Sequence, residues 1–92
     1  MLRIYYTNKM EKDARRMQRR GKDMSKLASV LSLLASGSPV PPRLRDHPLS
    51  GTRAGFRECH VEPDWLLVYR IEEDALILTA TETGTHADLF GL

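Results

Sequence analysis

The chain has 92 residues, 41% hydrophobic and 28% charged, a composition that fits one small folded domain over residues 1–92 and argues against disorder throughout. No apolar run is long enough to cross a bilayer, no secretory signal is visible, and the single cysteine, Cys59, cannot form an internal disulfide, so the cytoplasm is the expected location. The net charge of +2 hides two halves of opposite sign, because residues 1–46 hold 11 of the 14 Lys and Arg but only 4 of the 12 Asp and Glu.

The first predicted elements are a strand and a basic helix. Residues 2–7 are rich in β-forming residues and partly alternate, which predicts a strand. Asn8 then fits an N-cap, with Glu11 as its capping-box partner, and Gly21 is expected to end the helix. Six cations cover much of this helix: Lys9, Lys12, Arg15, Arg16, Arg19 and Arg20. Such a surface favours a polyanionic partner, although a solvated basic face is an equally open interpretation.

A second, more strongly apolar helix follows at once. Asp23 fits its N-cap, and Gly37 with the proline-rich residues 38–42 ends it, because proline lacks the N–H and clashes with the preceding turn. Its apolar residues recur every three to four positions, at Met24, Leu27, Leu31 and Leu34. Since very few residues join the two helices, they are predicted to pack as an antiparallel hairpin.

Beyond the prolines the hydrophobic period changes from helical to alternating. Strands are predicted over residues 56–61, 65–71 and 75–81, separated by turns at 62–64 and 72–74. The turns are too short for crossover connections, so these strands should form an antiparallel meander. The whole order predicts a small α+β domain: an N-terminal strand, an antiparallel helix hairpin, then antiparallel strands in a sheet whose helices lie on one face.

Alternation within the strand over 56–61 assigns its side chains to two faces. Phe56, Glu58 and His60 are predicted to face one way, and Arg57, Cys59 and Val61 the other. Cys59 therefore points away from His60, which argues against a Cys–His nucleophile pair.

Three histidines, all in the C-terminal half, suggest the chemistry. Each has a carboxylate nearby in sequence: Asp46 with His47, Asp64 with His60, and Asp88 with His86. A tight turn links His60 to Asp64, so these two are expected to approach each other across the hairpin. Asp46 and Asp88 are predicted to be local loop residues. The three imidazoles could converge at one edge of the sheet.

Cleavage of an RNA backbone needs a base for the 2′-hydroxyl, an acid for the 5′-oxygen and a cation for the phosphoryl oxygens. Histidine suits the first two roles, because its ordinary pKa of about 6.5 lets it take or give a proton near neutral pH. Arginine or a protonated histidine suits the third, so no metal or other cofactor is expected. The alternatives are histidines without a catalytic role, and a zinc site whose ligand spacings match no metal motif.

Three sequence motifs, which follow one another along the chain, are more specific than the histidine and charge patterns described above. They are DHPLSG at 46–51, ECHVEPDW at 58–65 and GTHADLF at 84–90. Together with KDMSKL at 22–27, they resemble the YafQ branch of the RelE/ParE toxin superfamily, and the resemblance spans the whole chain. It implies a compact α+β fold like that of microbial ribonucleases. It also implies a bacterial type II toxin that enters the ribosomal A site of the 30S subunit, cuts mRNA there, and is neutralised by an acidic antitoxin.

The matching motifs imply four catalytic residues: His47, His60, Asp64 and His86. We expect His86 to act as the general base on the 2′-hydroxyl and His60 to orient the substrate or stabilise charge. The acid is either His47 or Asp64, and Asp64 would need a raised pKa for that role.

Other residues are predicted to contact RNA. Trp65, Phe90 and Arg57 are assigned to the substrate, although the core is the alternative place for the two aromatics. The six cations of the first helix would bind ribosomal RNA phosphates without reading sequence. The alternative function is that of ParE-type relatives, which poison gyrase without cleaving RNA, and the three-histidine set favours cleavage.

Overall fold

The computed structural model describes residues 1–91 and confirms the predicted α+β class. Its elements are β1 (Arg3–Tyr6), α1 (Asn8–Arg19), α2 (Met24–Ala35), β2 (His47–Pro48), β3 (Arg57–Glu62), β4 (Trp65–Glu72), β5 (Ile77–Gly84) and α3 (His86–Phe90). The sheet has the order β1-β5-β4-β3-β2, with β1 parallel to β5 and the other pairs antiparallel. The sheet is therefore mixed. No helix within residues 1–91 is long and apolar enough to cross a membrane.

The start of α1 is set one residue earlier than predicted. The Thr7 hydroxyl accepts from the backbone N–H of Met10 at 3.0 Å and donates to the carbonyl of Thr81 at 2.9 Å. Thr7 is thus the N-cap, Asn8 is the first helical residue, and the predicted pairing of Asn8 with Glu11 in a capping box was wrong. Thr7 is favoured over Asn8 as the cap because its one hydroxyl bonds the first turn of α1 and also bonds a carbonyl of β5.

The boundaries of the helix hairpin agree with the sequence. Asp23 caps α2 by accepting from the backbone N–H of Ser25 at 3.0 Å. Gly21 and Gly37 follow the two helix ends with φ of +86° and +77°, in the left-handed region that glycine adopts without a steric penalty. These predictions are confirmed.

The central strand β4 is buried on both of its faces. Trp65, Leu67 and Tyr69 belong to the core beneath α1 and α2. Leu66 and Val68 point the other way, into a second, smaller cluster completed by α3 and by the loops around β2. We call the first side the helix-hairpin face and the second side the histidine face, because His60 shares the second side with its cross-strand neighbour Leu66. The apolar run of β4 reflects this double burial.

The end of the chain differs most from the prediction. The strand predicted over 75–81 is β5 at Ile77–Gly84, because Leu66 and Leu67 of β4 pair with Gly84 and Thr83. The short helix α3, which the sequence reading missed, begins two residues later at His86. Extension of β5 and the start of α3 together fix where the last histidine lies.

Candidate active site

His86 is held by the carboxylate of Asp64. The Asp64 Oδ1 accepts from His86 twice, from the ring Nδ1 at 2.5 Å and from the backbone N–H at 2.9 Å. The ring of His60 lies beside this pair, 5.7 Å from the ring of His86 between centroids. One carboxylate and two imidazoles are thereby brought together from β3, the β3–β4 turn and α3.

The predicted partnership of His60 with Asp64 was wrong. His60 instead donates from Nδ1 to the carbonyl of Pro63 at 3.1 Å, since a carbonyl oxygen can only accept. The tight turn between β3 and β4 folds the Pro63 carbonyl back towards His60 and leaves the Asp64 side chain free to reach α3.

Asp64 is not suited to be the acid. The backbone hydrogen bond from His86, and after it the hydrogen bond from the His86 ring, lower the pKa of this exposed carboxyl. Asp64 is therefore an ionised acceptor that holds the hydrogen of His86 on Nδ1. With Nδ1 engaged by Asp64, Nε2 is the nitrogen of His86 that is available to a substrate.

His47 lies in the edge strand β2 rather than in a loop, opposite Glu58 of β3. Its Nδ1 donates to the carbonyl of Arg45 at 2.9 Å, and its Nε2 lies 3.6 Å from Glu58 Oε1. Arg45 adopts a left-handed φ of +51°, which directs its carbonyl at the imidazole. Both nitrogens of His47 thus face acceptors, an environment that accommodates a hydrogen on each.

Register places the two histidine groups on one face. His47 is the cross-strand neighbour of Glu58, and His60 lies two residues farther along the same strand. Diagonal neighbours of this kind are about 7–8 Å apart on the same face of a sheet. His60 and His86 are adjacent, so all three imidazoles lie on the histidine face. Within residues 1–91, His, Cys, Asp and Glu form no group of three or more that could hold a metal ion.

α3 is fixed in place from two sides. Thr85 and Asp88 form a reciprocal capping box, and the Asp88 carboxylate accepts two hydrogen bonds from Arg20 at 2.6 and 3.0 Å. Gly84 makes room for this arrangement, because a Cβ there would lie 2.9 Å from the Cβ of Asp88. Asp88 is therefore not a loose loop residue but the anchor of the helix that carries His86.

Replacing Asp88 with alanine should cost about 1–2 kcal/mol of folding free energy at pH 7, in the range of a lost helix cap. The hydrogen bond from Arg20 is the main cause that holds the pKa of Asp88 well below its ordinary value, and the hydrogen bond from the N–H of Thr85 adds to it. A carboxyl whose pKa is lower in the folded state than in the unfolded state stabilises the fold at pH values above the unfolded-state pKa of about 4. This stabilisation is lost progressively as the pH falls below that value. Urea unfolding between pH 7 and pH 3 should show the gap between wild type and variant shrinking. A gap of unchanged size down to pH 3 would contradict this account.

Two of the predicted substrate contacts are corrected. Trp65 is fully buried on the helix-hairpin face, where its Nε1 donates to the hydroxyl of Thr83 at 2.9 Å, so it cannot stack on a base. Arg57 also lies on that face, opposite Tyr69, and donates from Nε and Nη2 to Asp46 at 3.2 and 3.0 Å. Asp46 lies in the loop just before β2, as predicted, but its contacts are not local, because it also accepts from the Tyr69 hydroxyl at 2.5 Å. These contacts brace the β2–β3–β4 side of the sheet.

Burial also shifts the pKa values of two titratable groups on the helix-hairpin face. Burial raises the pKa of the Tyr69 hydroxyl, and the hydrogen bond to Asp46 adds to the effect. Burial raises the pKa of Cys59 to about 12, so its thiol is not a nucleophile near neutral pH. Cys59 points away from His60, as the alternation predicted.

Three residues on the histidine face escaped the sequence reading. They are Glu58, Arg53 and Glu82. Glu58 is only 5% exposed and shares the face of His60, a position that the alternation gave without suggesting its partnership with His47. Arg53 lies in an irregular loop segment and pairs with Glu82 of β5 at 3.1 Å, a contact that no sequence pattern signals.

The six cations predicted for the first helix, five in α1 and Arg20 at its C-cap, divide into two sets. Lys9, Arg16 and Arg20 form ion pairs, the first two with the buried Asp13 and the third with Asp88. Lys12, Arg15 and Arg19 are exposed and form no ion pair with any part of the chain described, residues 1–91. The second set leaves a basic strip on α1 available to an anionic partner.

Comparison with known proteins gives one consistent result. A family model described as "Bacterial toxin of type II toxin-antitoxin system, YafQ" matches residues 2–91. The mRNA interferase toxin YafQ of Escherichia coli K12 is 44% identical over 89 residues, which are 96% of this chain and 95% of that protein. The crystal structure of YafQ from E. coli BL21(DE3) superposes with a TM-score of 0.91 at 40% identity, covering 99% of this chain and all of that one. The E. coli DinJ–YafQ complex gives a TM-score of 0.89 at 41% identity, with 99% and 100% covered.

Proposed function

The chain belongs to the YafQ family of bacterial type II toxins, and we propose that it is an endoribonuclease that cuts mRNA codons in the ribosomal A site by metal-independent acid–base chemistry. The observation that carries the proposal is the Asp64–His86 pair beside His60, on the same sheet face as the His47–Glu58 pair. The reaction requires one imidazole that can take a proton and a second that can give one.

The hydrogen-bonding partners support the following assignment of the proton transfers. His86 Nε2 takes the proton of the 2′-hydroxyl as the 2′-oxygen forms its bond to phosphorus. The bond from phosphorus to the 5′-oxygen breaks, and His47 Nε2 gives its proton to that leaving oxygen. The products are a 2′,3′-cyclic phosphate and a 5′-hydroxyl. Asp64 stabilises the imidazolium formed at His86, and the lowered pKa of Asp64 keeps it in the charged form that does so.

His60 and Glu58 support these transfers. The Nδ1 hydrogen of His60 is committed to the Pro63 carbonyl, so His60 has only Nε2 to offer to a phosphoryl oxygen, as a donor when protonated. Glu58 faces Nε2 of His47 from a buried position and acts through it, as a positioning residue. Its second oxygen, Oε2, is buried and has no hydrogen-bond partner among the described residues.

Replacing Glu58 with glutamine should lower the cleavage rate at pH 7 by about 10-fold, because a neutral amide stabilises positive charge on the neighbouring His47 ring less than a carboxylate does. Glu62→Gln on the same strand, which loses only contacts to Lys22 and Lys26, is the matched control. A folded Glu58→Gln variant that cleaves at the wild-type rate would remove Glu58 from the mechanism.

Recognition of the ribosome would use the basic strip of α1. Exposed Lys12, Arg15 and Arg19 supply sequence-independent attraction for ribosomal RNA phosphates in the cytoplasm. The same charges suit an acidic antitoxin that neutralises the toxin, a partner supported by the DinJ complexes of E. coli YafQ. Sequence choice is left to the codon presented in the A site.

The proposal is tested with purified toxin and a defined mRNA. Programmed ribosomes should yield cleavage within the A-site codon and new 5′-hydroxyl ends, whereas mRNA alone should be cut far more slowly. Supercoiling by gyrase in the presence of the toxin tests the ParE-like alternative. Intact mRNA on ribosomes together with inhibited gyrase would reject the nuclease assignment.

A further inference from the structure

We propose that Arg53 is the cation that contacts the phosphoryl oxygens during cleavage; the inference rests on the nuclease function proposed above. The acid and the base move protons, but negative charge still grows on the non-bridging oxygens of the scissile phosphate. Arg57, assigned to the substrate from sequence, lies on the opposite face and is held by Asp46. On the histidine face, His60 can donate to a phosphoryl oxygen only when it is protonated, so a permanent cation on that face has to come from another residue.

The guanidinium of Arg53 is fixed by three contacts. It donates to the two carboxylate oxygens of Glu82 at 3.1 and 3.2 Å and to the carbonyl of Leu89 at 3.2 Å. Its central carbon lies 4.9 Å from the ring centroid of Phe90. Nη1 has no hydrogen-bond partner within residues 1–91, and the side chain is 30% exposed. A donor with a fixed direction and no protein acceptor is what a transition-state oxyanion requires.

Arg53 lies on the histidine face, as both histidine groups do. Phe90, beneath its guanidinium, lies four residues after His86 and so on the same side of α3, one turn along. The hydrogen bond with Glu82 is the main cause that raises the pKa of Arg53, and the charge of Glu58, the partner of His47, adds to it. Glu58 and Glu82 share this face, since each pairs with Val68 of the strand between them.

The surface next to Arg53 is open to a nucleotide. A depression of about 380 Å³ lies beside it, lined by the apolar Phe56 and Val68, by Thr7 and Thr81, and by the charged Lys9 and Glu82. Glu82 is paired with Arg53 and Lys9, and the mostly apolar lining suits a base whose attached phosphate contacts Arg53. In the proposed step Arg53 gives up no proton and forms no covalent bond: Nη1 donates to a non-bridging oxygen while Glu82 keeps the guanidinium in place.

Single-turnover cleavage of mRNA on programmed ribosomes tests this role. Arg53→Gln should lower the maximal rate by about 10²–10³-fold, the usual loss for one oxyanion donor, with little change in the toxin concentration for half-maximal rate. Arg70→Gln is the matched control, an exposed arginine on β4 paired with Glu72, and should stay within about 2-fold of wild type. Thermal unfolding of each variant establishes that it is folded at the assay temperature.

Arg53→Lys covers the case in which Arg53→Gln does not fold, because an ammonium can keep the ion pair with Glu82. It should still lose at least about 10-fold in rate, since one ammonium cannot hold Glu82 and Leu89 and also contact the phosphate. Folded variants that cleave within about 3-fold of wild type, or that change only the half-maximal concentration, would overturn the proposal. An inactive wild type would instead reject the nuclease function, and an inactive His86→Ala beside active Arg53 variants would reject Arg53 alone.

Discussion

Replacing His86 with alanine is expected to lower the single-turnover rate of mRNA cleavage on the ribosome by about 10³-fold, within the range of general acid–base catalysis. His86 offers a free Nε2 because its Nδ1 hydrogen is engaged by Asp64 at 2.5 Å. Binding to the ribosome should change little, because the basic strip of Lys12, Arg15 and Arg19 lies on another element. Rates measured at saturating toxin, with ribosome pelleting as the binding control, separate the two effects.

Asp64→Asn provides the sharper test of how His86 works. An amide oxygen can still accept from His86, but it no longer stabilises an imidazolium by charge, so about a 10-fold loss in rate is expected. Because Asp64 acts through His86, the double variant should be no slower than His86→Ala alone. If the two losses multiply, Asp64 has an independent role and the pairing seen here does not describe the mechanism.

Trp65→Ala is expected to lower the free energy of unfolding by about 3–5 kcal/mol, the cost of emptying a large buried site. The side chain is fully buried, and its Nε1 donates to the Thr83 hydroxyl, which itself donates to the carbonyl of Leu66 at 2.6 Å. The whole free energy of unfolding of a small domain is about 5–15 kcal/mol, so this single change removes much of the stability. Urea unfolding followed by far-ultraviolet circular dichroism measures the difference.

Trp65→Phe is the companion variant, since it keeps an aromatic ring and removes the hydrogen bond to Thr83. It should cost about 1–3 kcal/mol, less than the alanine variant, and its folded fraction should cleave mRNA at close to the wild-type rate. A stable Trp65→Phe protein with a greatly reduced cleavage rate would reinstate Trp65 as a substrate contact and contradict its assignment to the core.

Local features of the fold were predictable because neighbours along the chain decide them. The α2 cap at Asp23, the glycines that follow the two helices and the alternation through Cys59 and His60 all came from short-range chemistry, and the structure bears them out. Thr7 shows the limit of such reasoning. Thr7 rather than Asn8 is the N-cap because its hydroxyl also donates to the carbonyl of Thr81, a residue of β5 that is far away in the sequence.

The amino-acid sequence by itself determined the α+β order, the family motifs and which residue types are available for acid–base chemistry. Only the tertiary structure decided the partnerships: Asp64 with His86, His47 with Glu58, and Arg53 with Glu82. Each joins residues at least 11 positions apart, through a strand register or a short helix that sequence periodicity does not specify. Hydrogen bonds and charges act over a few ångströms in space, so the role of a side chain follows from the fold that surrounds it.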